Sequence, residues 1–155
     1  MNYVINGKIN LINNNITDND MTNEDKNLLL KDLCARLPYG VKLDFYARAT
    51  NQHYVSTLLG IEPDGDKPII AKVEDGAYTL TQDHVKPYLR PMSSMTEKES
   101  QEYYELTYIE EKRYILSSLL VEITDWLNAH HFDYRGLIEK GLAIAVTKEN
   151  NPYKL

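Results

Sequence analysis

The sequence predicts an α+β fold: an antiparallel sheet or small open barrel of about four strands (residues 41–82), flanked by helices at about 22–37, 97–105, 111–128 and 134–140. Three observations predict it. Val41, Leu43, Phe45 and Ala47 alternate with Lys42, Asp44, Tyr46 and Arg48, the period of two of a half-buried strand. Turn residues then recur, in Pro63-Asp64-Gly65-Asp66 and in Glu74-Asp75-Gly76, between short β-prone runs. Leucines at helical spacing stand on both sides of this region.

Taken in order, the chain opens with Tyr3-Val4-Ile5, Asn6-Gly7 and Lys8-Ile9-Asn10-Leu11-Ile12. Asn-Gly between two β-prone runs signals a hairpin, because both residues tolerate positive φ. An Asn-rich connector, Asn13 to Asp20, follows, so residues 1–21 are expected to be a hairpin and mobile linker outside a single domain at 22–147. Thr22-Asn23-Glu24-Asp25 resembles a capping box, and Leu29, Leu33 and Leu37 repeat every four residues, giving a helix that Pro38 and Gly40 end. Strand candidates follow at 41–48, Tyr54–Ile61, Pro68–Val73 and Ala77–Leu80. His84 to Pro91 contains two prolines and reads as an extended connector rather than a central strand.

Thr96-Glu97-Lys98-Glu99 repeats the capping pattern with acid in the first turn. Leu116, Leu119, Leu120, Ile123 and Leu127, with Trp126 beside them, make the clearest helical stripe. Asn128 to Asp133 breaks it. A short helix from about Tyr134 to Lys140 is expected to end at Gly141, with an edge strand in Leu142–Val146 and a polar tail at 148–155.

Composition excludes several classes. The chain has 155 residues, enough for one domain with its own core. Lys plus Arg number 17 against 23 Asp plus Glu, a formal charge of −6 that repels duplex nucleic acid. The start, Met1–Ile12, reads as neither signal peptide nor anchor, and no run reaches the ~20 apolar residues of a membrane span. With Cys34 the only cysteine, no intrachain disulfide forms, and a reducing cytoplasm is the expected compartment. Cys34 sits among leucines, where a buried, inert thiol is expected over a nucleophile or redox sensor.

Three stretches resemble a recurrent family. Lys31-Asp32-Leu33-Cys34-Ala35-Arg36-Leu37-Pro38-Tyr39-Gly40-Val41 is similar to its N-terminal block. The runs Leu89 to Glu97 and Asp125 to Ile138, the latter reading Asp125-Trp126-Leu127-Asn128-Ala129-His130-His131-Phe132-Asp133-Tyr134-Arg135-Gly136-Leu137-Ile138, resemble two further segments. The family is an uncharacterised group of small proteins from phages, prophages and mobile elements of Bacteroides-type gut bacteria. The resemblance implies a small accessory protein in a bacterial host cell and carries no catalytic set.

Candidate sites are few. His130 and His131 are adjacent, so they diverge on a helix or strand, and no H-E-x-x-H spacing occurs. A helix-ending turn with one imidazole capping carbonyls is expected, and no metal; zinc would need His53 or His84 beside the pair. Asp133-Tyr134-Arg135-Gly136 has two readings: an anion-binding corner with Arg135, Tyr134 and Arg90, or Asp133 as an N-cap with Arg135 paired to a carboxylate such as Asp125. Lys86, Tyr88 and Arg90 offer one aromatic and two cations, too few to carry single-stranded nucleic acid on this chain. Tyr103, Tyr104, Tyr108 and Tyr114 crowd an acidic stretch and form either a protein-binding or self-association surface, or the half-buried face of an amphipathic helix. Gly60, Gly65 and Gly76 fall in expected turns and form no P-loop or dinucleotide fingerprint.

No catalytic residue and no cofactor is therefore assigned. The expected function is a non-enzymatic interaction or self-assembling accessory protein. Its alternative is a protein that sequesters a small anionic ligand such as a nucleotide.

Overall fold

A computed structural model describes residues 21–47, 49–62, 69–73, 76–108 and 116–153. The expected hairpin at 3–12, the connector at 13–20, the turn at 63–66 and Tyr114 lie outside the described residues.

Helix α1 (Asn23–Arg36) starts at the expected cap. Thr22 Oγ1 accepts from the Asp25 amide at 3.1 Å and donates to the Asp25 carboxylate at 2.7 Å, which satisfies one orphan amide of the first turn. Leu29 and Leu33 are fully buried, and Leu37 is partly so. Pro38 lies in a 3-10 turn, Leu37–Tyr39, and Gly40 closes it at φ 65°, where the missing Cβ avoids a clash. Cys34 corrects the sequence reading, since it is exposed rather than buried. Successive helical residues diverge by about 100°, so the turn that buries Leu33 carries Cys34 outward.

Strands β1 (Lys42–Ala47), β2 (Gln52–Ile61), β3 (Ile69–Val73) and β4 (Gly76–Leu80) form the expected antiparallel meander. Leu43, Phe45 and Ala47 point inward to Leu29, Leu33, Leu58 and Ile69 in one core. The Phe45 ring meets Tyr54 at 5.7 Å and Tyr78 at 5.3 Å between centroids. Burying a side chain of this kind contributes about 2–3 kcal/mol.

The sheet continues past four strands. β5 (Val85–Leu89) and β6 (Ile144–Ala145) extend it to the order β4-β3-β2-β1-β5-β6. Only β5 and β6 run parallel, and the sheet stays open. The segment expected to be a mere connector is therefore an interior strand despite Pro87, and register explains how. Val146 N donates to Leu89 O at 2.8 Å, so Leu89, and Pro87 two residues before it, direct their backbone groups toward β6. Pairing with β6 begins only at Tyr88↔Ile144, while Pro87 stands opposite Leu43 in β1. The missing N–H thus costs no ladder bond to β1.

Helix α2 (Glu97–Thr107) follows a full capping box: Glu99 N donates to Thr96 Oγ1 at 3.2 Å, and Thr96 N donates to Glu99 Oε2 at 2.8 Å. Helix α3 (Leu116–Ala129) contacts both α2 and α1. It ends where the two histidines sit. His131 takes φ 58°, and His130 Nδ1 lies 2.9 Å from the Trp126 carbonyl, the carbonyl cap the sequence suggests.

The expected helix at about 134–140 is a run of turns instead. Gly136 at φ 74° interrupts any right-handed helix there, and Gly141 at φ 70° closes the turn. Asp133 organises the segment, its carboxylate accepting from Leu137 N at 2.9 Å and Ile138 N at 2.8 Å. This lets Leu137 and Leu142 join the core.

Candidate functional site

The residues singled out in the sequence separate into a buried polar junction and an exposed helical face. The junction forms where α1, the end of β5 and the segment after α3 meet. Asp32 and Arg36 are one helical turn apart and both fully buried, with Arg36 Nε 2.7 Å and Nη2 3.1 Å from the two Asp32 oxygens. Arg36 Nη2 also donates to the Phe132 carbonyl at 2.7 Å, tying α1 to the post-α3 segment. Arg135 approaches the same carboxylate, Nε to Asp32 Oδ1 at 3.3 Å, rather than Asp125. Its Nε also donates to the Tyr134 hydroxyl at 3.2 Å, which in turn donates to Asn128 Oδ1 at 3.1 Å.

Arg90 is held equally firmly. Its Nη1 and Nη2 donate to Glu99 at 2.7 and 2.8 Å, Nη2 reaches the Ser94 carbonyl at 3.2 Å, and the guanidinium lies 4.3 Å from the centre of the Phe132 ring. Those bonds, with burial opposing and Thr96 assisting, hold the Glu99 carboxyl down at about 2. Both candidate anion-binding arginines thus have their charge engaged by a carboxylate. Arg90 and Arg135 are not brought together on one open surface; each anchors a different element.

The histidines diverge as adjacency predicts. His130 stacks on Trp126 at 4.1 Å, whereas His131 stacks on Tyr153 at 4.1 Å and 13°. Burial first, and the charges of Arg36, His130, Arg90 and Lys42 after it, push the His131 pKa down to about 4. Its Nδ1 is buried with no hydrogen-bond partner among the described residues, so protonation there meets no acceptor. Among the described residues no three His, Cys, Asp or Glu gather as metal ligands. No described helix is long and apolar enough to cross a membrane.

The tyrosines behave differently from one another. Tyr103 packs against Trp126 of α3 at 5.9 Å. Tyr104 and Tyr108 stay 56% and 48% exposed and contact each other at 5.3 Å. On α3, Leu119 and Leu127 are buried while Leu120 and Val121 are 57% and 59% exposed. Helical spacing alone groups Leu120 with Leu119 and Leu127 and leaves Val121 out, whereas packing exposes both Leu120 and Val121. The signal was present, because three apolar residues in succession, Leu119-Leu120-Val121, span more of a helix than one core contact covers.

Leu120, Val121, Thr124 and Asp125 line an open depression of about 250 Å³. Glu97, Lys98, Gln101, Glu102 and Glu105 line another, of about 570 Å³, along α2. Helix α3 carries Glu122 and Asp125 but no Lys or Arg. Comparison of the chain with protein-family models, curated proteins and solved structures finds no match.

Proposed function

We propose that the protein is a non-enzymatic interaction protein whose contact surface is the outer face of α2 and α3. One observation carries this reading: Tyr104, Tyr108, Leu120 and Val121, four of the six large apolar side chains exposed among the described residues, lie on this helical pair. Apolar and aromatic groups at half exposure, with a charged surround, are what a protein contact buries. The resemblance to phage and mobile-element proteins supports a role as an accessory protein in a bacterial cell. The sequestering alternative draws no support from Arg90, whose charge Glu99 balances, and Arg135 is held beside the Asp32 carboxylate that it shares with Arg36.

The test compares the native chain with a Leu120→Asp/Val121→Asp variant, by light scattering across concentrations and by affinity capture from bacterial lysate. The reading expects an assembly or a specific partner that the variant loses. A native chain that stays monomeric and captures nothing the variant fails to capture overturns it.

A further inference from the structure

We infer that residues 147–153 are an acid-sensitive latch: they lift off the sheet ahead of the rest of the fold, and a proton on His131 promotes the lift.

The segment closes largely on itself. Thr147 N donates to Asn150 Oδ1 at 2.6 Å, and the Glu149 and Asn150 amides donate to Thr147 Oγ1 at 3.2 and 3.3 Å. Tyr153 N donates to Asn151 Oδ1 at 2.9 Å, and Asn150 Nδ2 returns to the Ala145 carbonyl at 3.0 Å, at the end of β6. Residues 147–150 are exposed, so contacts of the Lys148 and Glu149 charges are screened and contribute little.

The hold on the sheet comes through Tyr153. Its hydroxyl bridges the Lys42 amide and the Tyr88 carbonyl between β1 and β5. Its ring lies on the His131 imidazole, 4.1 Å between centroids and 13° from parallel. One partly buried side chain thus carries the buried part of the attachment. A segment with so few buried contacts opens at a fraction of the cost of unfolding the domain.

His131 is placed to respond to that opening. Its main chain belongs to the body of the fold, its carbonyl accepting from Arg90 N at 2.8 Å and its amide donating to Asn128 O at 3.1 Å. Its ring, in contrast, is covered by the latch residue Tyr153. The cations that act on it are Arg36 of α1, Lys42 of β1 and Arg90 after β5, with His130 beside it in the chain. The carboxylates nearby are engaged, Asp32 with Arg36 and Arg135, and Glu99 with Arg90.

A proton on the covered ring therefore meets positive charge, and the buried Nδ1 has no partner among the described residues. This outweighs the attraction of an imidazolium for the Tyr153 ring, since the closed imidazole is held down at about 4. With the latch lifted, water reaches the ring and the value moves back toward the ordinary 6.5. The open form binds the proton more tightly, so opening grows as pH falls from 6.5 toward 4. Lifting leaves the Lys42 amide and the Tyr88 carbonyl without the hydroxyl that joins them.

Hydrogen exchange at two neighbouring amides tests the latch. The Lys42 amide donates to the Tyr153 hydroxyl and reports the latch, while the Leu58 amide donates to the Val41 carbonyl at 2.9 Å and reports the sheet. Measured as protection over an unfolded peptide at pH 7, Lys42 is expected to lie at least about tenfold below Leu58. Low urea is expected to speed Leu58 and leave Lys42 nearly unchanged, because a local opening exposes little surface. Between pH 7 and 5 the protection of Lys42 is expected to drop about tenfold, and His131→Gln to abolish that drop. His131→Asn, which tolerates the positive φ of this position, replaces His131→Gln if the latter misfolds.

Equal protection and equal urea dependence of the two amides overturn the inference, because both then wait for the whole fold to open. A Lys42 protection that is the same at pH 7 and 5 overturns it too, as does a drop that persists in the folded His131 variant.

Discussion

The hydroxyl of Tyr153 donates to the main-chain carbonyl of Tyr88 at 2.7 Å, and the same oxygen accepts from the Lys42 amide at 3.2 Å. Positions 42 and 88 are the next pair after Leu43↔Pro87 in the β1–β5 register. The hydroxyl therefore stands where a direct ladder bond between the strands would otherwise lie. It ties a residue that the sequence reading assigned to a polar tail into the sheet. Burial raises the hydroxyl pKa to about 12, so the bridge keeps its proton at any ordinary pH. Tyr153→Phe is expected to lower stability by about 1–2 kcal/mol, leaving a donor and an acceptor unpaired. Tyr153→Ala, which also removes the stack on His131, is expected to cost about 3–4 kcal/mol. Urea unfolding midpoints measure both; a Phe variant as stable as the native chain removes the bridge from the account.

The Asp32–Arg36 pair predicts an asymmetry between single and double substitution. Asp32→Ala leaves a fully buried guanidinium without its carboxylate and is expected to destabilise by about 3–5 kcal/mol. Asp32→Leu combined with Arg36→Met removes both charges and is expected to recover much of that loss, short of the Phe132 carbonyl contact. If the double variant is as unstable as the sum of its single variants, the two residues are not energetically coupled.

Acid is expected to destabilise the fold in two steps. His131 takes its proton near 6.5 when unfolded and at about 4 when folded, so between those values the unfolded chain binds more protons and stability falls with falling pH. Allowing for its partial exposure, this amounts to about 2 kcal/mol. Glu99 protonates near 4.5 unfolded and at about 2 folded, because Arg90 holds its charge. Discounted for solvent screening, its contribution is about 1–2 kcal/mol, full above 4.5 and lost toward 2. Unfolding midpoints from pH 7 to 3 are expected to decline throughout, with His131→Gln flattening the upper step and Glu99→Gln the lower. An unchanged slope in His131→Gln between pH 6.5 and 4 means that the imidazole is not the group responsible.

Cys34 is exposed and is the only thiol in the chain. A thiol reagent is expected to label one site per native chain at a rate near that of a free peptide thiol. Labelling that waits for unfolding places the side chain in the interior after all.

What the sequence made legible were features set by local chemistry. Thr22 and Thr96 cap helices because a hydroxyl followed by a carboxylate three residues on meets orphan amides within one turn. The meander followed from the alternation in β1 and from the turn residues after it. Features set by distant partners were hidden. Pro87 enters a strand because β6, more than fifty residues later, pairs only beyond it. Gly136 at φ 74° keeps the segment after Asp133 from becoming the helix that its neighbours would otherwise permit. Arg135 finds Asp32 rather than the nearer-in-sequence Asp125, because α1 packs beside the turn. Among the exposed apolar side chains, Tyr104 and Tyr108 were visible as types, while Leu120 and Val121 became distinguishable from the buried Leu119 only once α3 was packed.

Sedimentation velocity of the native chain and of Leu120→Asp/Val121→Asp, over a hundredfold concentration range at low salt with and without bacterial lysate proteins, tests the α2–α3 contact face most directly. The native chain is expected to sediment faster than a single chain, with copies of itself or with a partner, and the variant to sediment as a single chain. Identical single-chain sedimentation of both proteins under every condition contradicts it.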